Sequence, residues 1–125
     1  MNHSLEVTCN DTLIFHSDGR WLYPLFDLER FLMAHTYEPA ELRVHDKIVG
    51  RAAALLLVRM GVGYVWAELM SELSRAALAH FGIPHTYDAL VPRISCRTES
   101  LLAEELDVEE AYRILKARAT ASRET

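Results

Sequence analysis

RVHDKIVGRAAALLLVRMG (Arg43–Gly61) decides the fold. Leu42–Val44 has the character of a short strand, and the residues after Asp46 have that of a helix. Asp46 suits the N-cap, because its carboxylate can accept from the free N–H groups of a first turn. The helix is predicted to run to about Met60, where Gly61 ends it. Its middle, Ala52–Val58, is apolar on every face. Such a helix has no wet side, so it needs cover nearly all round, against a sheet with neighbours on its flanks.

Toward the N-terminus, Leu5, Val7 and Cys9 alternate with polar Glu6 and Thr8, the pattern of a half-buried strand. Asn10-Asp11 signals a turn and Thr12–His16 a second strand, so the chain opens with a hairpin that Ser17-Asp18-Gly19 closes. Pro24 suits a first helical position, and Leu25, Leu28 and Leu32 recur at helical spacing, which predicts a helix over Pro24–Ala34. Toward the C-terminus, Val62–Ala67 is a continuous apolar run of the kind found in the centre of a largely parallel sheet. Ser71 caps a helix that stops at Gly82, and His85–Val91 reads as a fifth strand. Pro92–Glu105 is irregular or partly helical. Asp107 and Glu110 form a capping box for a last helix, with Glu109–Arg113 paired on its wet side and a polar tail from Thr120 expected to fray. Trp21 and Trp66 are expected in the core or at a subunit contact, and Arg51 and Arg59 on an exposed rim.

The order β-β-α-β-α-β-α-β-α, without repeat or linker, implies one α/β domain over residues 1–125, with 119–125 as its frayed end. The expected architecture is a three-layer α/β/α sandwich around a mixed five-stranded sheet, with the N-terminal hairpin as its antiparallel edge. A chain of 125 residues, 50% hydrophobic, suffices for one core and not two. The net charge of −5 argues against nucleic-acid polymers and anionic membrane surfaces, which select basic proteins. Two lone cysteines, no signal-peptide pattern and no apolar run of bilayer length point to a reduced cytoplasmic setting.

The element order, with Asp46-Lys47-Ile48-Val49-Gly50-Arg51-Ala52-Ala53-Ala54 after the third strand, resembles the cytidine-deaminase-like fold. More closely, it resembles an uncharacterised bacterial family of that fold, domain-of-unknown-function family 1893. Pro24-Leu25, Gly61-Val62, Ser71-Glu72, Gly82-Ile83, Leu90-Val91-Pro92, Ile94 and Arg97 carry the rest of the likeness, over about four fifths of the chain. Relatives usually have a longer Gly-rich segment with a Cys-Pro pair after the matching arginine, whereas here Arg97 runs into TESLLAEEL. The resemblance implies a fold; the family has no established activity to carry over.

Zinc deaminases place His-x-Glu at one helix start and Pro-Cys-x-x-Cys at the next. The corresponding stretches here are His45-Asp46-Lys47 and Ser71-Glu72-Leu73-Ser74, which offer an ammonium for the carboxylate and hydroxyls for the thiolates. One histidine does not hold zinc, so no metal or other cofactor is expected, and the six histidines show no ligand spacing. In such sheets ligands bind beyond the carboxyl ends of the strands. A small anionic metabolite or nucleotide is the expected partner, cradled by Asp46, Lys47 and Gly50 at a helix start, with Ser71, Glu72 and Arg97 opposite. The alternatives are a non-catalytic homo-oligomeric assembly module, favoured by the many apolar helix faces, and a metal-free enzyme using Lys47 or Cys96.

Overall fold

The computed structural model describes residues 3–95 and 97–124, with side chains through residue 121. Alternation sets the first two strands, β1 (Leu5–Cys9) and β2 (Thr12–Ser17), which pair antiparallel. Asn10 and Asp11 turn the chain between them at φ 51° and 67°, the left-handed region these two residue types tolerate best after glycine. Helix α1 (Tyr23–Ala34) begins one residue before Pro24.

The third strand departs from expectation. β3 runs over Leu42–Val49, and α2 spans Arg51–Met60, so Asp46 sits in a strand and caps nothing. The parallel ladder to β4 (Tyr64–Ser71) explains the extension: it continues from Asp46↔Ala67 to Ile48↔Leu69 and Val49↔Met70, skipping Lys47. The Lys47 N–H goes instead to the Ser4 carbonyl, 3.1 Å away beside β1. Gly50, in an extended conformation, takes the N-cap position of α2 without any side chain to cap it. At the other end Gly61 adopts φ 78° and donates back to the Leu57 and Val58 carbonyls, as a left-handed helix terminus requires.

Ser71 caps α3 (Glu72–His80) by accepting from the Ser74 amide at 3.0 Å, as its sequence position implies. β5 (His85–Val91) matches its predicted span, and a short helix α4 (Arg97–Leu101) lies in the segment expected to be irregular or partly helical. Asp107 accepts from the Glu109 and Glu110 amides to start α5 (Val108–Glu124), which continues past Thr120. Its charges pair differently from the expectation: Glu110 holds Arg113, while Glu109 reaches across to Arg59 of α2.

The five strands form one mixed sheet in the order β2-β1-β3-β4-β5, with β1 antiparallel to both neighbours and β3, β4 and β5 parallel. The connections β2-α1-β3, β3-α2-β4 and β4-α3-β5 all step the same way across the sheet. Right-handed crossovers therefore bring α1, α2 and α3 to one face, and α2 packs against α1, α3 and α5. That face carries Leu5, Val7, Val44, Val65 and Ala67, buried against Leu28 of α1 and Ala54, Leu55 and Leu57 of α2. α5 covers α2 further with Ala111, Leu115 and Ala119. The opposite face presents Arg43 over the Tyr64 ring and His45 stacked on Trp66. Trp66 and Trp21 are 37% and 39% exposed, so neither is a core residue.

Candidate functional site

Asp46 follows Val44 by two residues, so its side chain leaves β3 on the helix-covered face. There it meets a cavity of about 300 Å3 walled by Leu22, Pro24, Ala52, Ala53 and Ile94, with Lys47 and Arg20 also lining it. Among the described residues no cation pairs with the Asp46 carboxylate; the Ile48 amide donates to it at 3.4 Å, and the Lys47 amide also acts on it. Burial among protein atoms pushes its pKa up to about 7 from 3.8. The Ile48 and Lys47 amides hold it back, and the Glu68 charge adds a further upward push. A carboxyl group at that value exchanges protons near neutral pH.

The loop beside this carboxyl is strained. Trp21 lines the cavity with φ at 56°, a conformation bulky side chains rarely adopt and that costs of order 1–3 kcal/mol. Its ring meets the Tyr23 ring edge-on with centroids 5.2 Å apart. Lys47 is exposed, as is Arg20, so both cations lie at the mouth of the cavity while Asp46 lies deeper.

The start of α2, where an anionic ligand was expected, is filled by the protein itself. Glu99 of α4 is 2% exposed and accepts from the Arg51 amide at 2.7 Å, the Ile94 amide at 2.7 Å and the Ser71 hydroxyl at 3.1 Å. A carboxylate at a helix N-terminus is favoured by the first-turn N–H groups and the helix dipole. Gly50 is the residue that lets it in, since an added Cβ would sit 3.3 Å from Glu99 Oε2 and 3.4 Å from Ile94 Cδ1. Arg51, expected on an exposed rim, is 4% exposed. Its guanidinium donates to three backbone carbonyls, those of Leu102 at 3.1 Å, Leu73 at 2.9 Å and Glu105 at 2.6 Å. Burial lowers the Arg51 pKa, against the opposing charges of Glu99 and Glu105.

Of the residues singled out by sequence, Asp46, Lys47 and Gly50 line one cavity. Ser71 is buried beneath Glu99, while Glu72 and Arg97 face solvent away from it. Cys96 lies outside the described residues. Sequence reading passed over Glu99, assigned Trp21 to the core or a subunit contact rather than to a cavity wall, and missed the buried role of Arg51, for which a lone arginine at the head of an apolar helix was the available signal. The donors that would correspond to a deaminase zinc set do not converge. His45 stacks on Trp66 on the opposite face with ring centroids 3.7 Å apart, and the Ser74 hydroxyl binds the Val49 and Ser71 carbonyls. Zinc does not fit there.

A family model described as "Domain of unknown function (DUF1893)" matches residues 2–118. Among solved structures, the chain is similar to a DUF1893 family protein from Thermotoga maritima, at 27% identity and a TM-score of 0.82. The match covers 94% of this chain and 81% of that one. No curated protein matches the chain.

Proposed function

The chain belongs to the DUF1893 family of domains of unknown function, and from that premise we propose that it binds a small anionic or nucleotide-like molecule in the Asp46 cavity. One observation carries this reading: a carboxyl group with no cationic partner among the described residues faces an apolar cavity large enough for a small ligand. The helix start taken by Glu99 is not the anion cradle of this reading. Asp46, ionised or protonated, meets a hydrogen-bonding group of the ligand, the Trp21 loop flanks it, and Lys47 and Arg20 meet its negative charge at the mouth. The strand order supports the resemblance to the deaminase-like fold, while the one-sided crossovers leave the second helical layer of an α/β/α sandwich unfilled by α1, α2 and α3.

Thermal-shift screening with nucleotides and sugar phosphates tests the proposal. A ligand that raises Tm in the wild type and loses at least tenfold in affinity with Lys47→Ala or Asp46→Asn supports it. If no anionic compound shifts Tm, or if both variants bind unchanged, the reading is wrong.

The open sheet face favours assembly as a second reading. Arg43, His45, Tyr64 and Trp66 form a continuous strip of rings and charge on adjacent strands, and a second copy set against it would supply the third layer of an α/β/α sandwich. Sedimentation discriminates: Trp66→Glu turns a dimer of this kind into a monomer and leaves a monomer unchanged.

A further inference from the structure

The opening hairpin brings His3, just before its first strand, against His16 and Asp18, which lie two residues apart at the end of its second. His3 Nδ1 is 2.8 Å from Asp18 Oδ1, and the His3 and His16 rings stack with centroids 4.1 Å apart. One donor atom from each of the three falls within 4.8 Å of the others. The backbone beneath them is tied down. The Ser4 amide donates to the Ser17 carbonyl at 2.9 Å, the Ser4 hydroxyl lies 2.9 Å from the Ser17 and Gly19 carbonyls, and the Gly19 amide donates to the Ser17 hydroxyl at 3.0 Å. His3, His16 and Asp18 are thus carried on a hydrogen-bonded frame rather than on a loose terminus.

We propose that His3, His16 and Asp18 form a binding site for a divalent transition-metal ion of the zinc type. Two imidazoles and one carboxylate are the donor set of open zinc sites, and two nitrogens out of three select zinc, cobalt or nickel over magnesium or calcium. The ion displaces the hydrogen between His3 Nδ1 and Asp18 Oδ1: a neutral imidazole then carries its one hydrogen on Nε2 with no net proton release, and an imidazolium gives up one proton to solvent. Donors held at about 2.0–2.1 Å around a tetrahedral ion stand roughly 3.3 Å from one another, so pairs as far apart as 4.8 Å close in and the His3–Asp18 pair at 2.8 Å opens slightly, both by side-chain rotation. Water fills the remaining positions. Ser4 and Gly19, the chain neighbours of His3 and Asp18, line the Asp46 cavity, so the ion would sit beside its mouth. The site is independent of any ligand there and of the deaminase zinc position.

The test is calorimetric titration of the untagged, chelator-treated full chain with Zn2+, and absorption spectroscopy with Co2+. One equivalent of metal per chain is expected, with visible cobalt bands. His16→Ala and Asp18→Asn should each weaken binding at least tenfold, as loss of a ligand or its orienting partner does, while His45→Ala should not. All three positions are at or near the surface, and an unchanged Tm confirms that each variant folds. Absence of binding up to about 1 mM metal, where even weak open sites fill, overturns the proposal. So does binding that survives His16→Ala or disappears with His45→Ala. Cobalt-induced broadening of the His3 and His16 ring signals in NMR gives the assignment directly, and broadening confined to other histidines refutes it.

Discussion

Asp46 is the residue whose environment conflicts most with its chemistry. Below about pH 4 its carboxyl is protonated in both folded and unfolded chains. As pH rises, the unfolded chain releases that proton near its ordinary value, while the folded chain keeps it until about 7. The folded state therefore binds more protons across that window, and stability falls with rising pH until the folded carboxyl has itself ionised. Asp46→Asn removes the proton-linked slope. At pH 8 the variant is expected to be more stable than wild type by up to about 4 kcal/mol, on the order of 10–20 °C in Tm, and nearly equal to it at pH 4. Thermal unfolding of both proteins across that range measures the difference; equal stability at pH 8 would remove the case for a strained carboxylate. The sequence pointed to Asp46 for another reason. An aspartate before an apolar helix is an N-cap signal, but the cap geometry was overridden by a strand that runs on for three more residues. The N-cap signal that drew attention to Asp46 belongs to a local structure it does not adopt.

At the scale of elements, most of the chain was readable because alternation and helical spacing report burial directly. β1, α1 and β5 lie where their patterns put them. What the patterns missed is the junction of β3, α2 and α4, because its determinants are contacts between residues 48 positions apart. Among the described residues the Arg51 guanidinium donates to backbone alone, the Leu73 carbonyl in the first turn of α3 and the Leu102 and Glu105 carbonyls after α4, while its own amide holds Glu99. Together Arg51 and Glu99 tie the end of β3 and the start of α3 to the segment around α4. The planar fork is essential here, since a lysine has one nitrogen to place among three acceptors. Arg51→Lys is expected to lower stability by about 2 kcal/mol and Arg51→Ala by at least 3, because each strands buried carbonyls beside a buried carboxylate. Urea unfolding of the two variants gives the ordering. A loss below 1 kcal/mol for Arg51→Ala would show that solvent reaches those carbonyls.

Over the whole molecule, the all-apolar α2 predicted its own surroundings: a helix without a wet face needs a layer on each side, and α5 supplies the outer one. Two kinds of contact bind α5 to the rest, and their magnitudes differ. Arg59 of α2 pairs with Glu29 of α1 and Glu109 of α5 and lies 3.6 Å from the Tyr112 ring centre, which makes a clasp across three helices. Glu109 is largely exposed, however, so solvent screens that arm of the clasp. Even with the cation–ring contact, Arg59→Ala is expected to lose only about 1 kcal/mol. Leu115 is fully buried, and Leu115→Ala removes its apolar contacts and leaves a void, for an expected loss of 2–5 kcal/mol. Measured side by side by urea unfolding, the leucine variant should be the weaker by a clear margin. The opposite order would mean that charge, rather than buried apolar surface, holds the last helix over the core, and the reading of α2 as a helix that demands cover on every side would then lose its physical basis.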